Sequence, residues 1–207
     1  MTRILTIALI LIAGLAASCQ NNDKSDSYYF PVSKLEKESS YIYVDSKNRD
    51  TAIWTMKSEV KHGDTLLISS IKNNNVLAER LIERVHRGES KIVAYTLFNN
   101  NRAMTCIIND SLVYSTKQEI GQTITWKITF DDPLTGNTYS LTKSRKLNSM
   151  SENLKTFDDE MLMNIVGTEK SFKYSLKSTY KKGKGLISYT INRPNTDPVN
   201  FVLAEEK

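Results

Sequence analysis

The side chains that could do chemistry are few, and each has a structural reading beside the catalytic one. His62 and His86 are the only histidines; each stands beside a glycine-bearing turn, and neither has a second ligand at metal spacing, so both read as surface residues. Asp131-Asp132 and Asp158-Asp159-Glu160 have the residue types a glycoside hydrolase needs in its pair of carboxyl groups. The first pair, however, opens a Pro-Gly loop, and the second stands where a helix start or a turn would welcome acids. Gly183-Lys184-Gly185 lacks the further glycines and the following helix of a phosphate loop and reads as a hairpin turn. No serine lies in a nucleophile elbow. Cys106, in the run Met104-Thr105-Cys106-Ile107-Ile108, has nothing nearby to stabilise a thiolate and reads as a buried structural thiol. The aromatics are the remaining candidates. Inside a curled sheet Trp54, Trp126 and Tyr174 would line an apolar cavity or fill the core. No catalytic residue, metal or cofactor is expected.

Cys19 carries the most specific chemistry. It follows one positive residue, Arg3, and an apolar stretch over residues 4–15, too short to span a bilayer and the right length for the hydrophobic core of a secretory leader. The stretch ends in Leu15-Ala16-Ala17-Ser18-Cys19, which resembles the lipobox read by bacterial lipoprotein-processing enzymes, with Ala16 in the slot that usually holds leucine. Cleavage before Cys19 and acylation of its thiol would hold a soluble body on a membrane without a spanning helix, since each buried CH₂ contributes about 0.8 kcal/mol. Residues 1–18 are then a signal peptide, and the polar run at 19–27 is a flexible tether. With Cys19 acylated, Cys106 has no disulfide partner.

Residues 28–207 form a single domain with a mostly period-two hydrophobic pattern. Ile124, Trp126, Ile128 and Phe130 alternate with Thr123, Thr125, Lys127 and Thr129, as a strand with one dry face requires. Phe172, Tyr174, Leu176 and Tyr180 alternate with Lys173, Ser175, Lys177 and Lys181, a lysine row suited to an exposed edge. Shorter strand runs occur at residues 41–44, 52–60, 65–71, 92–98, 104–108, 112–115, 139–147 and 186–191. Residues 76–86 fit a helix face or a strand, with the hairpin context favouring a strand. Residues 158–165 read as a helical turn or an irregular crossing, and 201–203 as a last strand or a frayed tail. The breaks carry turn chemistry, among them His62-Gly63-Asp64, Asn73-Asn74-Asn75, Arg87-Gly88-Glu89 and Asp132-Pro133-Leu134-Thr135-Gly136-Asn137. Strands at short spacing without long helices predict an all-β fold, a strongly curved antiparallel meander forming a half-barrel or barrel.

The net charge of +5 comes from scattered lysines, which argues against a nucleic-acid partner and for a solvated surface. Two stretches carry a family resemblance. Tyr28-Tyr29-Phe30-Pro31 with Leu35 and Tyr41-Ile42-Tyr43-Val44, and the closing Gly183-Lys184-Gly185-Leu186-Ile187-Ser188-Tyr189, resemble uncharacterised outer-membrane lipoproteins of Bacteroidota. The resemblance touches both ends of the domain, and this chain has Glu38-Ser39-Ser40 where the family has a glycine. It implies a curved antiparallel sheet on a lipid anchor and carries over no catalytic residue. It also implies that Asp23 and Asp26 act as surface-export signals and that Asp50-Thr51-Ala52, Asp64-Thr65-Leu66 and Asp110-Ser111-Leu112 are candidates for O-glycosylation. The expected role is non-enzymatic binding of an envelope protein or an apolar ligand. The alternatives are an assembly accessory of an outer-membrane complex, or a hydrolase of envelope glycan or lipid.

Overall fold

The computed structural model describes residues 29–45, 47, 50–99 and 102–207. The leader, Cys19, the tether, and with them Asp23 and Asp26, lie outside the described residues. Among the described residues a 3-10 turn, Val32–Lys34, precedes thirteen strands. They are β1 Ser39–Val44, β2 Thr51–Lys61, β3 Asp64–Asn73, β4 Val76–His86, β5 Glu89–Asn99, β6 Arg102–Cys106, β7 Ser111–Ser115, β8 Thr123–Asp131, β9 Thr138–Met150, β10 Leu154–Ile165, β11 Ser171–Lys181, β12 Gly185–Asn192 and β13 Val199–Glu206.

All pairings are antiparallel and form one sheet, ordered β6-β5-β4-β3-β2-β1-β13-β12-β11-β10-β9-β8. Strands pair with their sequence neighbours except at β7, which pairs with β5, and at the closure where β1 joins β13 and so unites two meanders. The sheet curls until its ends meet. There Ile107 and Thr129 exchange two backbone hydrogen bonds, 2.7 and 3.1 Å, in an isolated bridge. Below that seam β7 takes over from β6 as the partner of β5. The result is a nearly closed antiparallel barrel, as the strand rhythm predicts.

Local chemistry explains the turns. His62, Asn74, Asn75 and Arg87 adopt left-handed backbone conformations beside their turn partners. In the β8–β9 loop the Asp132 carboxylate accepts from the Leu134 amide (2.9 Å) and the Thr135 hydroxyl (3.1 Å), which fixes the Pro-Gly turn.

Three expectations need correction. Residues 158–165 are neither a helical turn nor a crossing: they belong to β10, which pairs along its length with β9 and β11. The acids that resemble a helix start alternate instead across a strand. The lysine row of β11 guards no edge, because that strand is flanked on both sides. Phe172, expected on the dry face, is 44% exposed near the turn that follows β10. Residues 76–86 form the strand β4, and the C-terminal run forms β13.

The β2–β3, β4–β5, β9–β10 and β11–β12 hairpins lie at one end, with the N-terminal segment. Tyr29 and Phe30 enter the barrel at this end and form a plug. Tyr29 stacks on Tyr114, with ring centroids 4.5 Å apart, while Phe30 meets Tyr41 and Tyr180 edge-on. Ser58 ties the segment down, its amide donating to the Leu35 carbonyl (2.6 Å) and its hydroxyl to that of Val32 (2.8 Å).

Candidate functional site

Alternation along the strands determines which side chains enter the barrel, and β-bulges reset the phase. In β5 a bulge opposite Ile82 and Glu83 turns both Ile92 and Tyr95 inward, although they are three residues apart. The interior then divides into two apolar clusters. One gathers Tyr41, Tyr43, Met56, Leu67, Phe157, Tyr180 and Phe201 around the plug. The other gathers Ile92, Tyr95, Met104, Cys106, Trp126, Ile128 and Phe130 beneath the seam. Cys106 is buried, and burial pushes its thiol up to about 11, so it is a packed side chain and no thiolate.

Between the clusters lies a cavity of about 490 Å³. Its floor includes Tyr29, Phe30 and Tyr180, and it extends to the far end of the barrel, where Asn73 and Arg193 border it. Trp54, Trp126 and Tyr174 all line it, together with Leu81, Leu176 and Ile191. These aromatics therefore bound an opening while packing at their edges, and Trp54 lies 5.7 Å edge-on to Tyr43. The Trp54 and Trp126 indole N–H groups are both buried without an acceptor among the described residues. A buried donor left without an acceptor costs about 1–3 kcal/mol.

Polar groups line the same space. Arg145 Nε and Nη2 donate to the two Asp159 oxygens at 2.8 and 3.0 Å, and the Ser178 hydroxyl reaches Asp159 at 3.4 Å. The guanidinium also lies over Phe157, 5.3 Å from the ring centroid. Burial penalises the Arg145 charge, and the neighbouring Asp159 and Tyr180 more than restore it, so the group titrates well above its ordinary value. Glu83 is 5% exposed; the Tyr29 hydroxyl lies 3.0 and 3.1 Å from its two oxygens, and the Ser90 hydroxyl lies 3.2 Å from one of them. Burial raises the Glu83 carboxyl above the usual range, opposed by those two hydrogen bonds. Tyr95 donates to Glu79 at 2.5 Å, and Lys143 Nζ lies 5.3 Å from the Tyr95 ring centroid.

Sequence reasoning missed most of this polar lining. Glu79, Glu83, Lys143 and Arg145 are not among the expected site residues, and Asp159 is read as a turn acid. The signal was in the phase. In β9, Leu141, Lys143, Arg145 and Leu147 share one face, so two cations sit between leucines that must be dry. His62 and His86 lie in exposed segments at the plugged end. Among the described residues no three His, Cys, Asp or Glu side chains gather as metal ligands.

No family model matches this sequence, and no curated protein is significantly similar to it. Two solved structures share its architecture. A protein of Bacteroides fragilis predicted to be exported, with a YmcC-like fold, aligns over 82% of this chain and 94% of its own at 8% identity and a TM-score of 0.50. A predicted lipoprotein of Parabacteroides distasonis aligns over 84% of this chain and 96% of its own at 10% identity and a TM-score of 0.56. At these identities the likeness is one of fold, and both of these Bacteroidetes proteins share the curled antiparallel barrel described above.

Proposed function

We propose that this protein is a lipid-anchored envelope protein, attached through Cys19, whose barrel binds a small ligand with an apolar body and does not transform it. The observation that carries this reading is the cavity itself. A protein interior normally closes to the packing density of an organic crystal. Here about 490 Å³ stays open among Trp54, Trp126, Tyr174, Leu81 and Leu176, within the range of small-molecule sites. An assembly accessory would be served equally well by a filled barrel.

The carboxylates support binding over hydrolysis. Asp159 is clamped by both arms of Arg145, and Glu83 accepts from Tyr29 and Ser90. Each is already committed to a structural partner, whereas a glycosidase needs one carboxyl group to reach the leaving oxygen and another to reach the sugar or its water. The tether and acyl group would keep the barrel beside a membrane, a source of apolar ligands; the outer membrane is the proposed site.

The test is affinity purification of the full-length protein from native membranes, followed by solvent extraction and mass spectrometry of what co-purifies. One class of amphiphile near stoichiometry, lost when Trp54 and Tyr174 are both replaced by alanine, is the expected outcome. Recovery of the protein without a small molecule would refute the reading.

A further inference from the structure

The donors and acceptors lining the cavity do not balance, and the imbalance identifies the head group of the ligand. Three inward-facing carboxylates border the space, and each has its own donor: Glu79 has Tyr95, Glu83 has Tyr29 and Ser90, and Asp159 has Arg145 and Ser178. Glu160 also borders it, with its carboxylate 3.4 Å from the exposed Lys173 ammonium. Three donors are left over, the Trp54 and Trp126 indole N–H groups and the Lys143 ammonium, and the last two share one wall. The Trp126 indole N–H has no acceptor, and Trp126 is only 8% exposed. Lys143, half-buried on the same wall, has no carboxylate within 4.0 Å among the described residues and rests on the Tyr95 ring. These two residues are directly opposite one another in the β8–β9 register, both facing the cavity.

Cross-strand neighbours on one face lie about 5 Å apart at Cβ, close enough for an ammonium and an indole N–H to reach a single oxyanion. A group that only accepts hydrogen bonds and carries negative charge satisfies both donors; a hydroxyl satisfies them weakly, and an amine satisfies neither. We infer that the cavity takes a single-chain amphiphile with an anionic, acceptor-only head, a carboxylate or a phosphate monoester, held by Lys143 Nζ and Trp126 Nε1. Its chain would run along Leu81, Leu176 and Tyr174. The assignment rests on the ligand-binding reading above.

The test uses the full-length protein in neutral maltoside micelles with four undecyl probes. Each carries a dansyl group at one end and a carboxylate, phosphate, hydroxyl or amine at the other. Binding is read as energy transfer from tryptophan, with Trp54 as the remaining donor when Trp126 is replaced. An anionic probe should bind about tenfold more tightly than the alcohol, the difference expected of one charge-assisted contact. Whichever anionic probe binds better identifies the source, free acid or phosphate ester. Lys143→Met should reduce that preference to about twofold, Lys143→Arg should retain it, and Trp126→Phe should weaken anionic probes more than the alcohol. Near-ultraviolet circular dichroism identifies any variant that has lost its fold, and the Lys143→Arg result then carries the comparison. Equal binding of the alcohol, or preference for the amine, overturns the head-group assignment while leaving a binding barrel. Failure of all four probes overturns both.

Discussion

Charged residues inside a barrel must be paired to be tolerated, and the Arg145–Asp159 pair is the clearest instance. Removing one partner of a buried ion pair leaves an unpaired charge and typically costs 3–5 kcal/mol, whereas replacing both by apolar residues is often close to neutral. With side chains 13% and 11% exposed, Asp159→Ala should cost ~3 kcal/mol in chemical denaturation, and the double variant Arg145→Met/Asp159→Leu clearly less. A double variant as damaged as the single one would mean that the pair holds the strands in register as well as neutralising charge. Glu83 behaves differently. Burial raises its carboxyl above the unfolded value of about 4.3, so the folded state binds more protons than the unfolded chain between those two pKa values. Its contribution to stability therefore falls as pH rises through that window. Glu83→Gln should flatten the decline and be at least as stable as the wild type at neutral pH, as thermal melts from pH 4 to 7 would measure. None of these roles follows from residue type alone. A charge in a sequence is read as exposed, and only the strand partners show that Glu83, Arg145 and Asp159 face inward.

Strands and turns, by contrast, were legible. Period-two alternation marks β8 and most of β11, and Gly, Asn and Asp mark the hairpins, because both signals are local. The bulges were not legible, since an extra residue is defined only against the partner strand. β10 was misread for a related reason: three successive acids look like a helix start until the flanking strands fix their alternation. The plug shows how sharply one element can constrain another. Gly185 has φ +81° and lies so close to Phe30 that an added Cβ would sit 2.7 Å from its ring, while Gly183 has φ +75° and open space around it. Both would strain as alanine, but only Gly185→Ala would also displace Phe30. It should therefore lower the melting temperature more than Gly183→Ala and expose Tyr29, read as greater quenching of tyrosine fluorescence by acrylamide. Equal effects would show that the plug yields without cost.

At the scale of the whole molecule, the apolar body and the proposed anchor divide the two cysteines into different chemistries. Iodoacetamide at pH 8 should leave Cys106 unmodified in the native protein and alkylate it in denaturant, because burial holds its thiol near about 11. Cys19 should resist alkylation in both states if it is acylated, and Cys19→Ala should abolish metabolic incorporation of palmitate; a peptide map showing a carboxamidomethyl group on Cys19 would exclude the anchor. The barrel class could be read from strand rhythm, but the cavity could not, since enclosed volume depends on bulges and on side chains contributed by strands far apart in sequence. The pairing of β1 with β13 has a further consequence, for biogenesis. The first strand waits for the last: Tyr41 finds Glu206 and Ser40 finds Lys207 only after every intervening residue has emerged. On the proposed export route the chain would reach the far side of its membrane as two ribbons not yet joined through β1 and β13. The barrel would stay open on that side until the final eight-residue strand is released, so a stop codon that removes it would leave the ribbons joined only at the Ile107–Thr129 seam.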